Sequence, residues 1–157
     1  MRRAVASDIP ELVRITNLAY VVEGFCIQGQ RTSPEEVAGL LEEGMFLVEP
    51  GGSGLKGSVF LRRDGARWYL GLLSVAPDCQ GRGLGRRLVG AAEEACRAEG
   101  GKFLDLTVVS LRKELFAFSE GLGFHANDVL PFREPGKLIL PCHLVRYTKA
   151  LVPATEL

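Results

Sequence analysis

The chain lacks an excess of either charge. Its 157 residues include 19 Lys and Arg and 19 Asp and Glu. A balanced chain creates no overall field that would attract nucleic acid or an anionic membrane, so we expect neither as a partner. Any binding site for an anion must be built locally.

Long apolar runs are also lacking. No stretch of about 18 apolar residues could span a bilayer, and the arginines of "MRRAVASDIPE" are not followed by the apolar segment of a secretion signal. We expect a cytoplasmic protein.

Metal-ligating residues are few and scattered. The chain has two histidines and no CxxC pair, and its four cysteines are widely spaced: Cys26, Cys79, Cys96 and Cys142. This pattern predicts neither a zinc site nor a disulfide framework, and reduced thiols fit a cytoplasmic protein. We expect no metal.

Helical and strand patterns alternate along the chain. Apolar spacing predicts helices in "SDIPELVRITNLAY", capped by Asp8 and Glu11, and in "SPEEVAGLLEE", capped by Ser33. Three β-like runs follow at 45–49, 57–62 and 68–75. The tight turns "PGGSG" and "RDGA" join them, which indicates an antiparallel meander.

The second half of the chain reads as helix, strand, helix and two strands, with Gly100 ending the first of these helices. No repeat or linker divides the chain. The sequence therefore predicts one α/β domain over residues 1–157, with a mixed, mostly antiparallel sheet and about four helices.

The stretch "PDCQGRGLGRR" (77–87) breaks a local rule. Acidic residues occupy the first turns of the two early helices, whereas Arg82, Arg86 and Arg87 surround the start of this one. Basic groups are unfavourable at a helix N-terminus unless an anion binds there. Glycines at 81, 83 and 85 would let backbone N–H groups approach a ligand closely. We interpret the turn as a phosphate or pyrophosphate site; a plain tight turn with solvated arginines is the alternative.

The stretch 77–87 matches neither of two known phosphate-binding loops. The dinucleotide pattern G-x-G-x-x-G/A fails, because the sixth residue from Gly81 is Arg86 and the sixth from Gly83 is Leu88. No Gly-Lys-Ser/Thr follows the turn, so it is not a Walker loop either. A nucleotide-binding domain of either kind is therefore disfavoured.

The motif Gln80-x-x-Gly83-x-Gly85 follows the strand-like "LLSVAP" and precedes a long helix, and "FSEGLGF" comes later in the chain. This combination resembles the acyl-CoA signature of the GNAT family of N-acetyltransferases, and the order of elements over essentially the whole chain is similar too. The resemblance implies a single acyl-CoA-dependent N-acyltransferase domain over residues 1–157, with acetyl-CoA as co-substrate. It also implies a homodimer, for which these residues give no separate evidence.

The resemblance also implies where acetyl-CoA binds. The turn would hold the pyrophosphate through its backbone N–H groups, and the preceding strand would bind the pantetheine arm and the thioester carbonyl. A strand has free backbone groups only where its neighbour diverges. The implied cofactor-binding residues are Leu73, Ser74, Val75, Gln80, Gly81, Arg82, Gly83, Leu84, Gly85 and Arg86.

Two positions implied to be catalytic depart from the family pattern. Ser119 stands where the family has a tyrosine that protonates the leaving thiolate; a serine hydroxyl is much less acidic and would serve as a hydrogen-bond donor. Tyr69 stands where some members place a glutamate base. It either orients the acceptor or packs on the sheet.

Three further residues are candidates for binding the acceptor. Glu23 lies in a loop that walls the acceptor pocket in the family, although an exposed, solvated carboxylate is the alternative. Asp105 alternates with Leu104 and Leu106 and so faces away from them, toward an acceptor or a neighbouring loop. Arg31 could bind an acidic acceptor, and a plain surface arginine is the alternative. Arg112, at a position where the family often has asparagine, is a further surface or site residue.

The resemblance therefore implies an N-acetyltransferase in which the amine of a small molecule or a peptide attacks acetyl-CoA directly. The alternative is a catalytically weak acyl-CoA sensor or interaction module, because Ser119 replaces the usual tyrosine.

Overall fold

The computed structural model describes all residues from Met1 to Leu157. Four helices flank one seven-stranded sheet. The helices are α1 (Ile9–Ala19), α2 (Pro34–Glu43), α3 (Leu84–Ala98) and α4 (Glu114–Gly121). The strands are β1 (Arg2–Arg3), β2 (Met45–Gly51), β3 (Gly54–Asp64), β4 (Arg67–Val75), β5 (Phe103–Val109), β6 (His125–Pro131) and β7 (His143–Ala150).

The strands lie in the order β1-β2-β3-β4-β5-β7-β6. Every neighbouring pair is antiparallel except β4 and β5, which are parallel because α3 crosses between them. The predicted mixed, mostly antiparallel α/β fold with four helices is confirmed. None of the helices is long and apolar enough to cross a membrane.

The two early helices begin differently. Ser33 caps α2 as predicted, since its Oγ accepts a hydrogen bond from the Glu36 N–H at 3.2 Å. The predicted cap of α1 is wrong: the Asp8 carboxylate accepts from the Val5 N–H at 2.8 Å and binds the Arg2 guanidinium. Asp8 thus closes the short 3-10 turn that precedes α1, and α1 has no side-chain cap.

The sheet has a separate core on each face. On one face α3 packs against the buried side chains of the central strands; this core includes Leu88, Val89, Leu104, Leu106 and Phe124. On the other face α1 and α2 cover a second core, which includes Leu12, Ile15, Val37, Phe46 and Phe60. We refer to these as the α3 face and the α1 face.

A β-bulge interrupts β4 at its centre. Phe60 pairs with Gly71 and Ser58 with Ser74, so β4 uses three steps where β3 uses two. The extra residue leaves Leu72 with φ of +50°, and no other non-glycine residue of the chain has a positive φ. Such a conformation costs about 1–2 kcal/mol for an L-residue. The bulge changes which face the following side chains meet, as bulges beside functional sites often do.

β4 and β5 separate just before the bulge. Their pairing is confined to three positions and ends at Tyr69 and Asp105. The segments 70–75 and 106–109 therefore diverge and leave a gap through the sheet. Backbone groups that border such a gap need other partners.

Candidate functional site

A cavity of about 470 Å³ occupies the gap between β4 and β5. The glycine turn forms one end of it, both diverging strands form the middle, and side chains from beyond α1 form the other end. Its lining includes Gln80, Gly81, Gly83, Leu73, Val75, Leu106, Val108, Ser119, Tyr69, Tyr20, Glu23, Arg31 and Arg133. Residues on both faces of the sheet thus border one continuous space.

The glycine turn places free backbone N–H groups at one end of the cavity. Gly81 and Gly83 have φ of +77° and +79°, and a Cβ at either residue would meet only open space. No side chain accepts from the N–H groups at the start of α3. Gln80 fixes the turn to the strand, because its Nε2 donates to the Val75 carbonyl at 3.3 Å. An uncapped helix N-terminus with this geometry favours an anion.

The arginines around the turn carry uncompensated charge. Arg82, Arg86 and Arg87 are exposed and take part in none of the chain's ion pairs. They add to the positive end of the helix dipole, which would stabilise a bound pyrophosphate. The turn and its arginines therefore fit the pyrophosphate of acetyl-CoA.

Of the predicted cofactor-binding residues, all but Ser74 and Arg82 line the cavity. Ser74 is buried instead, and its Oγ donates to the Leu72 carbonyl at 2.9 Å, so its side chain supports the bulge. Arg82 is exposed next to the turn.

Both predicted catalytic residues line the cavity. Ser119 is buried on α4, beside the Leu115 and Phe118 side chains of the same helix. Tyr69 is half-buried on β4, and the Arg62 guanidinium lies 5.2 Å from the centre of its ring.

A second phenol, which sequence reasoning missed, lines the same space. Burial raises the pKa of Tyr20 to about 12; the positive charge of Arg31 lowers it, and the negative charge of Glu23 raises it. A phenol is protonated at neutral pH even at its ordinary pKa of about 10, and the raised pKa keeps Tyr20 protonated further into alkaline solution, so its hydroxyl is available as a hydrogen-bond donor. In the sequence Tyr20 is the last residue of the helical pattern "SDIPELVRITNLAY", and no motif marks it.

Glu23 is not the exposed carboxylate of the alternative interpretation. It forms an ion pair with Arg112 at 2.8 Å, and the two side chains are 9% and 13% exposed. Arg112 also binds the Glu114 carboxylate at 2.5 Å. Burial lowers the pKa of Arg112, but its bonds to these two carboxylates raise it by more, to a net increase. The pair fastens the segment after α1 to the turn before α4.

Asp105 lies outside the cavity. The Arg67 guanidinium donates two hydrogen bonds to its carboxylate at 2.7 and 2.9 Å, and the Thr148 hydroxyl donates a third at 2.5 Å. Burial raises the pKa of Asp105, and these bonds lower it by more, to a net decrease. The partners explain why a carboxylate occupies this central strand, so we do not place Asp105 in the acceptor site.

A second cleft of about 610 Å³ adjoins the cavity on the α1 face. The two spaces share four residues at their junction: Tyr20, Glu23, Arg31 and Arg133. Arg133 was not predicted from the sequence, because it lies far along the chain in an irregular segment. No group of His, Cys, Asp and Glu side chains is arranged to hold a metal ion.

Comparisons with known proteins agree with this geometry. The sequence model of the acetyltransferase (GNAT) family matches residues 16–124. No curated protein matches the chain.

Solved structures share the fold at low sequence identity. The ribosomal-protein-S18-alanine N-acetyltransferase from Escherichia coli is 18% identical with a TM-score of 0.79, and the match covers 97% of this chain and 93% of that chain. Ard1 from Thermoplasma volcanium is 16% identical with a TM-score of 0.79 and 97% of both chains covered.

A GNAT family acetyltransferase from Elizabethkingia anophelis, solved with acetyl-CoA bound, is 16% identical with a TM-score of 0.67 over 75% of this chain and 83% of that chain. Because the family model spans more than half of the chain and the fold agrees, this chain belongs to the acetyltransferase (GNAT) family.

Proposed function

We propose that this chain is an N-acetyltransferase that transfers the acetyl group of acetyl-CoA to an amine by direct attack. One observation carries the proposal: a single cavity connects the glycine turn on the α3 face with a second cleft on the α1 face. A thioester and an amine could therefore approach each other from opposite faces and meet in the gap between β4 and β5.

The residues of the turn would bind the pyrophosphate through backbone N–H groups, and Arg86 would add charge. Leu73 and Val75, which border the gap, would offer backbone groups to the pantetheine arm. Bound acetyl-CoA would supply the activated acetyl group.

Transfer requires the amine nitrogen to bond to the thioester carbonyl carbon while the carbon–sulfur bond breaks, so the thiolate leaves and the nitrogen loses a proton. Ser119 would donate a hydrogen bond to the sulfur as negative charge develops there. Tyr20 and Tyr69 would orient the acceptor through their hydroxyl groups.

No free carboxylate lines the cavity. Glu23 is the one acidic residue in its lining, and Arg112 holds it at 2.8 Å. We therefore propose that the amine attacks in its neutral form, that the proton it loses on transfer passes to water in the second cleft rather than to a side-chain base, and that the CoA thiolate takes a proton from water.

The first test measures binding by calorimetry with acetyl-CoA, CoA and ATP. We expect the first two to bind, and binding of ATP alone would contradict the proposed cofactor. The second test measures thiol release from acetyl-CoA over a panel of amines, polyamines, amino acids and peptides. Binding of acetyl-CoA without acetylation of any acceptor would favour the sensor.

The role of Ser119 has its own test. We expect Ser119→Ala to lower kcat and leave the Kd of CoA unchanged, while Ser53→Ala, in the exposed turn between β2 and β3, changes neither. If the wild type is inert and Ser119→Tyr gains turnover, the sensor is the better interpretation.

A further inference from the structure

Arg31 and Arg133 lie together where the cavity meets the second cleft. The Arg31 guanidinium lies 5.4 Å from the centre of the Tyr20 ring, and that of Arg133 lies 5.3 Å from the Phe132 ring. Stacking on aromatic rings fixes a guanidinium and leaves its N–H groups free to bind a ligand.

These two charges are poorly compensated by the protein. The carboxylate nearest to Arg31 is the exposed Glu36, 4.0 Å away, and Arg133 takes part in no ion pair. Although Arg133 is exposed as a residue, packing around its guanidinium lowers its pKa, and the positive charge of Arg31 lowers it further.

Every carboxylate that borders either space already has another partner. Glu23 binds Arg112 at 2.8 Å, and Glu134 binds Lys137 at 2.9 Å. The remaining basic residue of the second cleft, Arg14, binds Glu11 at 2.8 Å. The junction therefore holds two like charges that the protein's own carboxylates compensate only weakly.

The position of the arginines indicates which substrate they bind. The glycine turn, at the opposite end of the cavity, already provides for the phosphates of CoA. Arg31 and Arg133 instead border the second cleft, whose apolar lining includes Val13, Leu18, Val21 and Ile27. The planar guanidinium matches a carboxylate with two parallel hydrogen bonds.

We infer that the acceptor is an amine that also carries a carboxylate, held by Arg31 and Arg133, with an apolar body in the second cleft. This inference rests on the proposed function, since it names the substrate class of the same site. It makes the two arginines the residues that select the acceptor.

The test compares free amino acids with their amides, with L-leucine and L-leucinamide as the main pair, in the wild type and in Arg31→Met and Arg133→Met. Each substrate is compared with itself across variants, so the different basicity of the two amines cancels. Losing a charged hydrogen-bond partner should raise the KM for leucine by about tenfold or more and that for leucinamide by less than about twofold. Arg63→Met, in the β3–β4 hairpin outside both spaces, controls for the loss of one positive charge.

Equal changes in KM for leucine and leucinamide, or turnover of amides alone, would overturn the inference and leave the proposed function standing. A weaker Kd for CoA in Arg31→Met or Arg133→Met would overturn it too, by assigning the arginines to the cofactor. If no amine is acetylated, the proposed function fails. Calorimetry of leucine with the CoA-loaded protein then decides the inference separately: binding that both arginine variants abolish supports a carboxylate site, and absence of binding in the wild type contradicts it.

Discussion

Replacing Arg112 by methionine should destabilise the protein more than replacing its buried partner. Methionine keeps the aliphatic part of the side chain but leaves the Glu23 carboxylate, 9% exposed, without its only ion-pair partner. Removing one member of a buried ion pair typically costs about 3–5 kcal/mol. At about 2–4 °C per kcal/mol for a domain of this size, the Tm should fall by about 6–20 °C.

The reverse substitution should be milder. In Glu23→Gln the guanidinium of Arg112 keeps the Glu114 carboxylate, and the glutamine oxygen can still accept a hydrogen bond. We expect a loss of about 1 kcal/mol, the usual net value of one hydrogen bond. The double variant should be more stable than Arg112→Met alone, because no charge is then left buried without a partner.

Thermal and urea unfolding of the three variants and the wild type at pH 7 measure these differences. The reasoning would be refuted if Glu23→Gln were as destabilising as Arg112→Met, or if the double variant equalled the sum of the two single losses. Either result would mean that the Glu23 carboxylate does not depend on Arg112.

Two further predictions use matched pairs of measurements. Gly83→Ala and Gly100→Ala both place an alanine at a φ near +79° with open space around the new Cβ, so each should cost about 1–2 kcal/mol of stability. Only Gly83→Ala should weaken CoA binding in calorimetry. Equal Kd values for the two variants would argue against the turn as the pyrophosphate site. Asp105→Asn should leave acceptor KM values unchanged. Because the folded-state pKa of Asp105 is lowered, its stabilising contribution is fully present above about pH 5 and is lost as the pH falls through that lowered pKa. The difference in unfolding free energy between wild type and variant should therefore disappear in acid. A difference in unfolding free energy that stays constant down to pH 2 would contradict this account.

Most of the fold is predictable from local sequence patterns. Apolar patterns predict the strands, and turn residues predict the connections between them. Ser33 caps its helix, as its residue type suggests. The prediction that Asp8 caps α1 is wrong because, although Asp8 has the right spacing for a cap, the Arg2 side chain binds its carboxylate. The bulge at Leu72 has no local signature, since a leucine there gives no hint of a left-handed backbone.

Part of the candidate site is also predictable from local sequence, and part is not. The glycine turn is recognisable because its residue types and spacing are consecutive in sequence. Tyr20, Arg31 and Arg133 come together only through tertiary contacts, so their joint role has no sequence pattern. The partners of Glu23 and Asp105 are equally distant in sequence, which is why their burial and pairing could not be foreseen.

The gap between β4 and β5 has a consequence for kinetics. Because it opens on both sides of the sheet, the CoA and the acceptor of the proposed function would not share an entrance, and neither would have to wait for the other to leave. We expect steady-state rates that fit a sequential mechanism with a ternary complex, and an acetylated product that departs while CoA is still bound. Under the proposed function, the sheet keeps the two substrates apart except at the gap, where the acetyl group would pass from one to the other.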